Sequence, residues 1–250
     1  MLLNDLTHYL DEYLSTNEFT DYPGAYNGLQ VEGTRNIRRI ALAVDACTFT
    51  VEAAIAADAD LVLVHHGLFW GWNPPITGRK FDRIAPLIRA GVALYSSHLP
   101  LDAHPEVGNN HILARLLGLT VTGSFENRYE KPIGVVCQSE ISRTELMNRI
   151  TGWLGKEPWS ALCGPETVTS VGIITGGAGS SIAAAKIAGC DFFITGEGAQ
   201  HTYFDAEELS MNVVYAGHYA TETVGVQALG EHLTQQFGVE CFFIDHPTGL

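Results

Sequence analysis

Residues 40–67, IALAVDACTFTVEAAIAADADLVLVHHG, align without a gap to residues 171–198, VGIITGGAGSSIAAAKIAGCDFFITGEG. Ala53, Ala54, Ala57, Asp60 and Gly67 fall on Ala184, Ala185, Ala188, Asp191 and Gly198, and apolar positions match throughout. After a shorter connection, LYSSHLPLD (94–102) falls on VYAGHYATE (214–222), placing His98 on His218 and Asp102 on Glu222. Such a repeat restricts the fold more than composition does, because one supersecondary unit must be built twice. Two lobes are expected, one over 1–124 and one over 125–250, intertwined and each offering an equivalent strand end.

The first copy is predicted to run as strand 38–45, helix 48–59, strand 61–64, helix 81–91, strand 92–97 and helix 109–118. Its strands are short, continuous and aliphatic, the pattern of a mainly parallel sheet covered by helices on both faces. A strand at 133–138, a helix near 142–154 and a strand before Cys163 follow. With 250 residues and 46% hydrophobic content, the chain can bury a sizeable core. The fold class is therefore α/β: a duplicated, two-lobed fold with mainly parallel sheets.

A formal charge of −14 speaks against a surface that wraps nucleic acid, which needs Lys and Arg to displace counterions. It also requires bound cations or a locally positive pocket for any anionic substrate. The five cysteines (Cys47, Cys137, Cys163, Cys190 and Cys241) are scattered and never form a CxxC pair. That excludes a disulfide framework and a thiolate zinc site, and fits free thiols in a reducing, cytoplasmic setting. The N-terminal MLLNDLTHYLDEYL carries acids within its apolar spacing, so it reads as an amphipathic helix rather than a signal peptide. No apolar run is long enough for a membrane span.

In parallel α/β sheets, ligands bind beyond the carboxyl ends of the strands. Four groups fall at such ends: His65 with His66, His98 with Asp102, Glu197 with His201, and His218 with Glu222. They come from both repeats, so a site in the cleft between the lobes is expected. Neighbours on a strand point to opposite faces, so His65 and His66 serve one ion only where the strand breaks toward Gly67, or else they serve two. A helix starting near His218 puts Glu222 one turn on, on the same face. Pro100 places Asp102 on a structured loop. Imidazoles with carboxylates suit Zn, Fe, Mn, Co or Ni better than Mg or Ca.

Each signal has a plainer reading. Two adjacent histidines or an H-x-x-x-E pair also occur as ordinary loop and surface residues. GGAGSS (176–181) resembles a phosphate cradle but lacks GxGxxG and GK[ST], so Ser180 or Ser181 as a helix N-cap is preferred. His104 reads as a turn residue, and His8, His111, His232 and His246 as surface residues. LFWGW (68–72) and the terminal PTGL suggest packing or a subunit interface. The agreement of several signals across the duplication favours a metal site.

NGLQVEG (27–33), VHHGLFW (64–70), HLPLDAHPEVGNN (98–110), TGEGAQH (195–201), GHYATE (217–222) and CFFIDHP (241–247) resemble the Nif-three-like family. Its members are often labelled GTP cyclohydrolase 1 type 2 homologs. The resemblance runs from about residue 1 to 247, in the short form without a large inserted domain. It implies a duplicated α/β fold, two divalent ions between the halves, and a homohexameric ring built as a trimer of dimers. It carries the metal ligands onto His65, His66, Asp102, His218 and Glu222. His98, Glu197 and His201 match positions near the metals, where they would orient ligands or transfer protons. The label implies a hydrolase whose metal-held hydroxide opens the purine ring of GTP and releases formate. A metal chaperone or insertase, or a regulatory adaptor ring, is the alternative.

Overall fold

Leu3, Leu6 and Leu10 recur at helical spacing, and all three are buried along one face of α1 (Leu3–Tyr13). The computed structural model describes residues 1–33, 36–71, 75–128 and 131–250. In chain order α1 is followed by β1 (Gly28–Val31), β2 (Arg39–Asp45), α2 (Thr48–Ala56) and β3 (Leu61–His66). Next come α3 (Arg79–Ala90), β4 (Ala93–Ser96), α4 (Leu99–Ala103), α5 (Asn109–Leu116), β5 (Thr120–Arg128) and β6 (Lys131–Ser142). The remainder is α6 (Arg143–Leu154), β7 (Trp159–Leu162), β8 (Thr167–Ile173), α7 (Ile182–Ile187) and β9 (Phe192–Thr195). It continues through α8 (Thr202–Glu208), β10 (Asn212–Tyr215), α9 (His218–Phe237) and β11 (Glu240–Phe243).

The chain divides into two compact units, Met1–Val107 with Gly225–His246, and Gly108–Val224 with Pro247–Leu250. The first holds a five-stranded sheet in the order β1-β4-β3-β2-β11. Its four inner and C-terminal strands run parallel, and β1 pairs antiparallel with β4. The strands are apolar on both faces because both are covered. Leu61, Leu63 and Tyr95 pack toward α1 and α9, and Val62, Val64 and Leu94 pack toward α2 and α3.

The second unit holds a six-stranded sheet in the order β5-β6-β8-β9-β10-β7. Its centre, β8-β9-β10, is parallel, while β5, β6 and β7 add antiparallel pairs. Helix α6 is capped by Ser142, whose hydroxyl accepts from the Glu145 N–H at 3.1 Å. Among the described residues, no helix is long and apolar enough to cross a membrane.

The repeat is visible in the ladders. Ile40, Ala41 and Leu42 stand opposite Leu61, Val62 and Leu63. Val171, Gly172 and Ile173 stand opposite Phe192, Phe193 and Ile194, the same residues that the gap-free alignment superposes. The third strand departs by one residue. Val64 faces Ser96, whereas its counterpart Thr195 faces Tyr215. Gly217 lies at φ +94°, a turn that few side chains tolerate. His98 stands before its helix, while His218 is the first residue of its own.

Candidate metal centre

The first unit gathers three imidazoles. β3 ends at His66, which still pairs with Asp45 of β2, and the rings of His65 and His66 have centroids 4.7 Å apart. One donor nitrogen from each of His65, His66 and His98 lies within 4.8 Å of the others. Asp102 Oδ1 is 3.6 Å from His65 Nε2. Asp102 is not on a loop, as Pro100 suggested, but in α4. Pro100 occupies the second helical position, where the N–H it lacks would have had no intrahelical acceptor.

The hydrogen bonds of these rings set their tautomers. His65 Nδ1 lies 2.9 Å from the Ser97 carbonyl oxygen, and His66 Nδ1 lies 2.9 Å from Asp45 Oδ1. His98 Nδ1 lies 2.9 Å from Asp21 Oδ1. A carbonyl or carboxylate only accepts, so each Nδ1 donates and the neutral ring keeps its lone pair on Nε2. Metal-binding histidines are held in this way, with the outer nitrogen anchored to oxygen.

In the second unit His218 sits between two carboxylates. Its Nδ1 lies 2.8 Å from Glu197 Oε1, and its Nε2 lies 3.2 Å from Glu222 Oε1, one turn along α9. Glu222 is almost wholly buried. The bond to Glu222, joined by Glu197 and opposed by partial burial, pushes the imidazole up to about 9. Gly176, at φ +70°, lets the backbone approach Glu222. A Cβ there would collide with Glu222 Oε1 and come within 3.3 Å of His218 Nε2. Thr221 Oγ1 accepts from the Gly176 N–H at 3.1 Å, and the Glu197 N–H donates to the Gly176 carbonyl at 3.1 Å.

The donor set fits divalent transition metals: imidazoles with fixed tautomers, buried carboxylates and a close-packed glycine. Of the eight residues singled out in the sequence, the first unit brings together His65, His66, His98 and Asp102. The second brings together His218, Glu197 and Glu222. His201 stands exposed just before α8 and joins neither cluster among the described residues.

GGAGSS forms a 3-10 turn, Gly179–Ser181, leading into α7. Ser181 takes the N-cap position without a side-chain cap bond, and its N–H donates to the Ala178 carbonyl at 2.9 Å. His104 does sit at a helix end, with Nε2 2.9 Å from the Tyr13 carbonyl. His232 is not a plain surface residue: it stacks on Tyr13 and meets the Tyr9 hydroxyl at 2.5 Å. His246 stacks on Phe49. In LFWGW, Trp72 lies outside the described residues, and Trp70 is partly exposed with its edge toward His98.

Sequence reasoning missed Asp45 and Asp21, and it read Gly176 only as part of GGAGSS, not as the residue packed on Glu222. Asp45 had a signal, since it closes β2 directly opposite His66. Asp21 had none, because it comes from an irregular segment far from His98 in sequence.

A family model described as Duf34/NIF3 (NGG1p interacting factor 3) matches residues 1–249. A Halobacterium salinarum protein named GTP cyclohydrolase 1 type 2 homolog is 42% identical over 256 residues, covering 100% of both chains. A Deinococcus radiodurans protein of the same name is 41% identical over 250 residues, covering 99% of this chain and 94% of that one. A structural-genomics structure of protein ybgI, described as of unknown function, matches with a TM-score of 0.92 at 38% identity, covering 100% of both chains.

Proposed function

The chain belongs to the Duf34/NIF3 family, and from that premise we propose that it holds two divalent ions and hydrolyses a small anionic molecule. His65, His66 and Asp102 from the first unit, with His218 and Glu222 from the second, are the proposed ligands. The observation that carries this reading is the locked tautomer of His65 and His66, each presenting Nε2 while Nδ1 is tied to oxygen. A purine nucleotide is the proposed substrate class, with GTP the named case because the relatives are labelled by that chemistry.

Such a centre, when filled, supplies water activation near neutral pH and neutralises oxygens of an anionic substrate. That neutralisation matters here, because a chain of formal charge −14 otherwise repels a polyphosphate. Glu197 orients His218 through Nδ1 and, being half exposed, can take up a proton from solvent-facing chemistry. Asp45 does the same orienting work for His66. We assign His201 a proton-transfer role on its exposure and its sequence match alone.

The test is to strip the protein, reload it with Zn, Mn, Fe, Co or Ni, measure ions per chain, and assay GTP for formate. Two ions per chain with formate released supports the proposal. Two ions without turnover, exchanging within minutes under mild chelation, would replace the hydrolase with a metal-handling protein. No bound ion would end the metal reading. A six-chain ring is part of the same proposal, with the loop around Trp70 as a contact, and light scattering measures it directly.

A further inference from the structure

His98 is held more tightly than a bystander to the metal ligands needs to be. The segment 21–27 grips both its ring and its backbone. Asp21 Oδ1 and Oδ2 lie 2.9 and 3.1 Å from His98 Nδ1, and Oδ2 also accepts from the Leu99 N–H at 3.1 Å. Asn27 closes the clamp: its Oδ1 accepts from the His98 N–H at 2.7 Å, and its Nδ2 donates to Asp21 Oδ2 at 2.9 Å. The Asp21 side chain is only 3% exposed. Burial works against its charge, but the bonds from His98, Asn27 and the Tyr22 N–H prevail and hold the carboxyl below its ordinary range.

The ring so fixed stands among the other imidazoles, with centroids 5.1 Å from His65 and 5.5 Å from His66. Trp70 packs edge-on at 4.9 Å, which limits the ring's freedom to swing away. Carboxylate–imidazole pairs of this kind keep one nitrogen protonated and turn the other, unprotonated, toward a ligand.

We propose that Asp21 and Asn27 clamp His98 so that its Nε2 serves as a third imidazole donor beside His65 and His66. The proposal rests on the metal-binding reading above and extends the expected ligand set by one residue. Asp21 is then a positioning residue, and the segment 21–27 exists to shape a metal site from a distance in sequence.

The decisive experiment loads the full chain with Co(II), follows its visible ligand-field spectrum, and measures affinity by competition with a chromophoric chelator. His98→Gln should bind at least one ion more weakly and show an altered spectrum. Asp21→Asn should keep the spectral shape and lose roughly 10- to 100-fold in affinity. Asn27→Ala, which leaves the buried carboxylate in place, should weaken binding less, and it substitutes for Asp21→Asn should that variant fail to fold. Normal binding and an unchanged spectrum in folded His98→Gln would overturn the donor assignment while leaving the five-ligand reading intact. Absence of Co(II) binding in the unmodified chain would overturn both.

Discussion

Gly176 and Glu222 approach so closely that a Cβ on Gly176 would strike Glu222 Oε1. Gly176→Ala therefore meets two obstacles. The residue sits at φ +70°, where an L side chain costs about 1–2 kcal/mol, and the buried carboxylate has to shift. The expected outcome is a lower urea midpoint and weaker metal uptake, because Glu222 moves relative to His218. An unchanged midpoint with full metal content would contradict this account of the glycine.

His218 gives a pH prediction for the metal-free protein. Its pKa rises from an ordinary 6.5 to about 9, first through the bond to Glu222 and then through Glu197. A group raised on folding contributes its full stability below about 6.5, and that contribution fades as pH climbs toward 9. Urea unfolding in chelator should show stability falling across this window more steeply than in Glu222→Gln. Metal binding must displace the same proton, so titration calorimetry in buffers of different ionisation enthalpy should detect proton release at pH 7.5. Equal pH slopes in the two proteins would remove His218 as the cause.

Much of this was legible in the sequence, and the parts that were not share a physical reason. The repeat 40–67 against 171–198 was readable because parallel, two-face-buried strands leave continuous apolar runs. The one-residue offset between the third strands, Ser96 against Val64 but Tyr215 against Thr195, was not legible, because the hydrogen-bond ladder and not side-chain similarity sets it. Asp102 was misplaced because a proline two residues earlier signals a break in mid-helix but not in a first turn. The contribution of β11 was also hidden. A four-residue strand after a long helix gives no sign that it pairs with β2, which lies some 200 residues earlier.

Asp45 is the missed residue most open to test. It accepts from His66 Nδ1 at 2.9 Å and is itself partly exposed, so its loss leaves no buried hole. Asp45→Ala should fold normally and bind metal about 10- to 100-fold more weakly, the effect typical of removing an oxygen that orients a histidine ligand. Asp45→Asn, which can still accept the bond, should recover part of the loss. Wild-type affinity in Asp45→Ala would show that His66 needs no such support.

Metal should also stabilise the fold itself, because α9 carries His218 and Glu222 in its first turns and core residues Val226, Leu229 and Leu233 further along. An ion that binds only the folded chain adds about 2.7 kcal/mol when present at 100 times its dissociation constant. For a chain of 250 residues, about 2–4 °C per kcal/mol translates this into a rise of roughly 5–10 °C in Tm. Chelator should reverse the rise, and Glu222→Gln should show little of it, since its neutral side chain is a poor ligand. His65→Ala should also abolish the rise, but from a lower starting Tm, because the buried ring leaves a cavity behind. A metal-induced shift of equal size in all three proteins would mean that the stabilising ion sits elsewhere, and differential scanning calorimetry with and without chelator decides the matter.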